Sequence, residues 1–265
     1  MTNPLEGLAA ALGDGTVEVV DLTHTLDPDF PVIVLPPEFG QCARFRMEEV
    51  SAYDGRGPAW KWHNISMNEH IGTHFDAPIH WVSGRDVANG AVDEIDPSVF
   101  VGPVVVIDCS EGASKDDDFE LTPEIIEAWE AEHGPIPADS WVLMRTDWSK
   151  RRGADYLNMA DDGPHSPGPT PAAIEALLKR NIRGFGTETV GTDAGQGAHY
   201  VPPYPAHYLL HGAGKYGLQC LCNLDHLPPT GAMLIAPPLK IKGGTGSPLR
   251  VLALVPAGSG SGETK

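Results

Sequence analysis

His70-Ile71-Gly72-Thr73-His74-Phe75-Asp76-Ala77-Pro78-Ile79-His80-Trp81 places three histidines and an aspartate within eleven residues. His70 and His74, four apart, would share a face of a helix. Gly72 and Pro78 argue against a long regular helix, so the spacing predicts a tight turn or a short helix. His74, Asp76 and His80 share parity, and an extended segment would also keep them on one side. Imidazole nitrogens with a carboxylate suit Zn²⁺, Mn²⁺ or Fe²⁺ and leave positions open for water and substrate. A lone buried histidine is ordinarily a hydrogen-bonded core residue. Four such groups buried together with no shared partner would cost several kcal/mol, so the cluster reads as a metal centre.

Outward from this stretch, the pattern is mixed α/β. Val17–Leu22 alternates and then runs apolar, as an opening strand would. Val104-Val105-Val106-Ile107-Asp108 is a continuous β-branched run, expected for a strand buried on both faces. Residues 141–146, 182–186 and 249–255 read as further strands. Thr122-Pro123-Glu124 and Thr170-Pro171 each open an amphipathic run with an N-cap and a proline at the first helical position. Helices falling between strands predict an α/β architecture. No internal repeat or linker divides the 265 residues, so a single domain is expected over 1–265. Its core would span about 17–256, with a flexible glycine- and serine-rich tail at 257–265.

Composition excludes several function classes. The formal charge of −18 would repel nucleic acid, and no basic patch relieves it. No apolar stretch is long enough to span a membrane. The N-terminus lacks the basic start and apolar run of a secretory signal, so a cytoplasmic setting is expected. Four cysteines in a chain of this length make no disulfide framework, and no Cys-x-x-Cys suggests a zinc site.

The pattern His-x-Gly-Thr-His-x-Asp-x-Pro-x-His resembles that of the metal-dependent cyclase-like hydrolase family, to which bacterial kynurenine formamidases and isatin hydrolases belong. Asp21-Leu22-Thr23-His24, Arg145-Thr146-Asp147-Trp148 and the loop 239–248 extend the likeness over roughly residues 17–256. The resemblance implies a swivelling β/β/α fold, with mixed β-sheet layers and flanking helices. It makes His70, His74 and Asp76 metal ligands and His80 the acid/base. Kynurenine formamidases hold a second metal with the same aspartate, a later histidine and a glutamate. Here the matching histidine is His207, a possible ligand, but position 219 is glutamine. A neutral amide is a weaker ligand than a carboxylate and removes a negative charge that two adjacent cations would need. One divalent metal is therefore expected, Mn²⁺ favoured over Zn²⁺, with Gln219 in direct contact with it or just behind the ligands.

The chemistry expected is hydrolysis, with the cation activating water and polarising the carbonyl. By resemblance the substrate is a small, often aromatic amide: a cyclic amide such as isatin first, N-formylkynurenine second, another cyclic imide or lactone after these. A non-catalytic metal-binding protein on the same fold is the reading from another class, and an Fe²⁺ oxidoreductase a third. Trp62 and Trp81 could stack on an aromatic substrate or pack in the core. Glu188 is expected to be structural or to lie behind the ligands, the 243–246 loop to line the site, and His199, His211 and His226 to be surface or structural residues. Family members form dimers or tetramers, which implies a homodimer or homotetramer.

Overall fold

The computed structural model describes residues 3–81 and 87–259. Helix α1 (Pro4–Asp14) begins where Asn3 accepts a hydrogen bond from the Leu5 N–H at 3.1 Å, and it ends at Gly15 with φ of 78°. Strand β1 (Val17–Asp21), the hairpin β2 (Arg46–Ala52) and β3 (Lys61–Ser66), and the short β4 (His74–Asp76) follow. Next come β5 (Val101–Asp108), α2 (Pro123–His133), β6 (Trp141–Arg145), α3 (Pro171–Lys179) and β7 (Gly184–Thr187). The chain closes with β8 (Tyr216–Gln219), β9 (Ala232–Ile235), β10 (Gly246–Pro248) and β11 (Leu252–Pro256).

Nine of these strands form one mixed sheet in the order β1-β11-β9-β5-β6-β7-β8-β4-β10. The central four, β5 to β8, run parallel. The outer pairs are antiparallel. Strand β5 behaves as its β-branched run requires. Val104 and Val106 pack on one face with Trp141, Leu143, Leu218 and Phe75. Val105 and Ile107 enter the other face, against Ile126 and Trp129 of α2 and Ile174 and Leu177 of α3. Truncating one of these side chains to alanine should cost about 2–5 kcal/mol.

The mixed α/β expectation holds, with boundaries shifted by one to three residues. Thr170 caps α3 through the Ala173 N–H at 3.1 Å. Thr122 occupies the cap position of α2 but turns its hydroxyl toward the Glu124 carboxylate. Helix α1 and the β2–β3 hairpin were not anticipated. The Asn-Pro start and Gly15 stop of α1 were legible, but its residues bury nothing completely, so its apolar pattern is weak. All four cysteines are unpaired. No helix among the described residues is long and apolar enough to cross a membrane. The tail beyond Ser259 lies outside the described residues.

Candidate active site

Strand β4 is only three residues long, yet it is paired on both sides. Asp76 faces Gly217 of β8 and Gly246 of β10, while His74 faces Gln219 and Pro248. Alternation sends Phe75 into the core beside Trp141 and Tyr216 and leaves His74 and Asp76 together on the opposite face. Of the two glycines opposite Asp76, Gly217 makes room for it and Gly246 makes room for His70. A Cβ at Gly217 would lie 3.1 Å from Asp76 Oδ2, and one at Gly246 would lie 2.5 Å from His70 Cε1. The turn before the strand is tight, with Gly72 at φ +63°. A turn leading into a strand thus replaces the short helix considered from the sequence.

Hydrogen bonds fix the tautomers of the first two histidines. His74 Nδ1 lies 2.7 Å from the Gly72 carbonyl, which can only accept, so Nδ1 carries the hydrogen and Nε2 presents a lone pair. The Thr245 hydroxyl donates to Glu69 at 2.7 Å and therefore accepts from His70 Nε2 at 2.8 Å. That leaves a lone pair on His70 Nδ1. Both lone pairs face Asp76 Oδ1, at 2.8 Å from His70 and 3.4 Å from His74. Such a convergence is repulsive unless a proton or a cation is shared among the three atoms. Their spacing matches ligands about 2.0–2.2 Å from a common metal ion. The residues therefore fit a divalent cation by their own chemistry. Burial alone would lower the pKa of His74, but the Asp76 carboxylate overrides it and raises it to about 10. Asp76, fully buried, is held well below the usual carboxylate range by His74 and His70 despite the opposing effect of burial.

The second group of polar side chains surrounds the other oxygen of Asp76. Gln219 Nε2 donates to Asp76 Oδ2 and lies 3.3 Å from His207 Nε2. His207 Nδ1 is 2.5 Å from Asp193 Oδ2. Burial would lower the pKa of His207, and Asp193 and Asp76 outweigh it and raise it. The Gln219 hydrogen aimed at Nε2 is compatible only with the neutral ring. His211, in the same helical turn (His207–His211), is completely buried. Its Nδ1 donates to the Lys215 carbonyl at 3.0 Å, and its Nε2 has no hydrogen-bond partner among the described residues.

His80 ends a short turn, Pro78–His80, and stacks on His70 with 3.8 Å between ring centroids. Burial lowers its pKa to about 3 even though Asp76 pulls the other way. Trp81 leans on His207 at 5.0 Å and meets Tyr204 at 5.6 Å, so it stands at the wall of the cluster. Trp62 lies on the exposed β3 strand of the hairpin, outside the nine-stranded sheet.

The structure thus brings together His70, His74, Asp76, His80, His207, Gln219 and Trp81. Sequence reasoning passed over Asp193 and Thr245 as a partner of His70, and it read as surface or structural His211, which is buried beside the cluster. The spacing of His207 and His211, four apart on a helical turn, was the available signal for the last. His199 and His226 are exposed. Glu188 is buried and structural, accepting from the Thr146 N–H and the Ser149 hydroxyl, both at 2.7 Å.

Comparison with known proteins identifies the family of the chain. The family model described as Cyclase matches residues 20–194. The isatin hydrolase of Roseibium aggregatum is 53% identical over 95% of this chain and 97% of its own length. A kynurenine formamidase of Polaromonas naphthalenivorans is 27% identical over 95% of this chain and 98% of its own. Among solved structures, isatin hydrolase A from Labrenzia aggregata bound to benzyl benzoate superposes with a TM-score of 0.94 at 80% identity, covering 96% of this chain and 100% of that one. An isatin hydrolase bound to the product analogue thioisatinate gives 0.94 at 52% identity, covering 97% and 100%. The chain therefore belongs to the Cyclase family, on the hydrolase fold that these relatives share.

Proposed function

We propose that this protein hydrolyses the cyclic amide of isatin to isatinate, using one divalent cation held by His70, His74 and Asp76. The observation that carries this reading is the convergence of two imidazole lone pairs on Asp76 Oδ1 beside His80. The relatives named above support isatin as the substrate.

A divalent cation bound there supplies Lewis acidity to the amide carbonyl and to the attacking water. The rest falls to side chains of this chain. His80, stacked on His70 beside the triad, would take a proton from the water and return it to the leaving nitrogen as the ring C–N bond breaks. One water is added across that bond, and the nitrogen leaves as the amine of the same, opened molecule. Trp81 and Tyr204 offer an aromatic wall for a planar substrate. Gln219 donates to Asp76 Oδ2 and points at His207 Nε2, two atoms that a second cation would need. That arrangement supports one metal, and the family resemblance favours Mn²⁺ over Zn²⁺.

The exposed Met47 and Ile65, paired across the β2–β3 hairpin, favour self-association, as a homodimer or homotetramer. A hairpin outside the main sheet gains stability when such a face is covered. Four unpaired cysteines support a reducing, cytoplasmic setting.

The test is metal analysis of purified protein together with absorbance assays on isatin and N-formylkynurenine, with Mn²⁺ or Zn²⁺ added. One Mn²⁺ per chain with isatin opening is the expected result. Two metals with formate release would replace it with the formamidase reading, and absence of metal would refute the site.

A further inference from the structure

Asp193 lies outside the metal-binding motif, on the loop that follows β7. Its side chain is almost completely buried and accepts three hydrogen bonds: from Ala206 N–H at 2.6 Å, His207 N–H at 3.3 Å and His207 Nδ1 at 2.5 Å. A carboxylate only accepts, so Nδ1 of His207 carries the hydrogen, and in the neutral ring Nε2 is bare. The Gln219 amide nitrogen touches that bare nitrogen and Asp76 Oδ2. With two hydrogens it satisfies both acceptors. Turned over, the amide oxygen would face a carboxylate oxygen and a lone pair, and both contacts would repel. The tautomer of His207, together with the Asp76 carboxylate, thus sets the direction of the Gln219 amide, and Asp193 sets the tautomer.

We infer that Asp193 is a positioning residue for the metal centre. Acting through His207 and Gln219, it pins Asp76 Oδ2 so that Oδ1 stays turned toward His70 and His74. The inference rests on the metal reading of that triad. Partners behind metal ligands fix orientation and basicity, and their loss lowers metal affinity by about 10- to 100-fold. Asp193 also anchors the turn that begins at Ala206, a role that would not pass through Gln219.

A double-mutant cycle separates the two roles. Mn²⁺ affinity is measured by equilibrium titration, following free Mn²⁺ by electron paramagnetic resonance. The four proteins are the unaltered chain, Asp193→Asn, Gln219→Met and the pair. Asp193→Asn should weaken Mn²⁺ binding by about 10- to 100-fold. It should weaken it no further once Gln219 is Met, because the connection is already cut. Losses that multiply in the double variant would overturn the inference, as would unchanged affinity in Asp193→Asn alone. If Asp193→Asn does not fold, His207→Leu takes its place in the cycle and interrupts the same chain one residue later. Failure of the unaltered protein to bind Mn²⁺ would refute the metal reading itself. Since isatin is absent from the assay, an error about the substrate leaves the result untouched.

Discussion

The rings of His70 and His80 stack at 3.8 Å and 27°, which places a proposed ligand and a proposed proton carrier face to face. His80 is nevertheless outside the converging lone pairs, so its removal should spare the metal. His80→Ala is expected to retain its full Mn²⁺ content while kcat on isatin falls by about 10²- to 10⁴-fold. Metal analysis and steady-state kinetics on one preparation decide this. Normal turnover by the variant would remove the acid/base role.

Gln219 separates the one-metal reading from the two-metal one. The ligand atoms of Asp76, His207 and His211 lie within 4.8 Å of one another, close enough to share a cation. In Gln219→Glu a carboxylate replaces the amide donor and supplies the negative charge that a second cation requires. Mn²⁺ content should rise from about one to about two per chain, a change of the kind by which ligand charge governs metal sites. Unchanged stoichiometry would show that Gln219 is not what limits the count.

Gly246 is where the strand beside the ligands leaves no room. A Cβ there would lie 2.5 Å from the Phe75 carbonyl and 2.5 Å from His70 Cε1, and neither can move cheaply. Gly246→Ala should cost about 1–3 kcal/mol in urea unfolding and weaken Mn²⁺ binding by displacing His70. Gly7→Ala in α1, where a Cβ meets nothing within 4 Å, is the control. It should be stabilising by about 0.5–1 kcal/mol.

His165 supplies a pH dependence away from the site. It bridges Asp162 at 3.0 Å and Asp118 at 2.6 Å, and these carboxylates raise its pKa to about 9. The folded state therefore holds this proton more tightly than the unfolded chain, whose histidine titrates near ~6.5. The stabilisation is complete below the unfolded value and is lost as pH rises through about 9. Tm should fall across that window, and His165→Gln should flatten the fall. An identical profile in the variant would show that the bridge contributes nothing.

The sheet strands with continuous β-branched runs were readable because burial on both faces leaves an unambiguous pattern, as in Val104–Ile107. The dense histidine motif was readable because all four of its members come from one stretch of chain. Asp193 was not, and Thr245 only as part of a loop lining the site, because both reach the cluster through pairings far apart in sequence, visible only once β8 and β10 flank β4. The β2–β3 hairpin carries exposed tryptophans and a bulge near Glu49, so its alternation does not resemble that of a half-buried strand. His211 is far from the motif in sequence and comes beside Asp76 and His80 only in the fold.

A three-residue strand clamped by neighbours on both sides has a consequence for how such enzymes diversify. The atoms proposed to hold the ion are fixed by main-chain pairing to β8 and β10, whereas Trp81 and Tyr204 come from connecting segments. Exchange of those segments would change which molecules are admitted while the anchoring of His74 and Asp76 stays the same. The cost of acquiring a new substrate is then confined to loops, where replacements are tolerated most readily. A lineage built this way can explore many small cyclic and acyclic amides without rebuilding its reactive core.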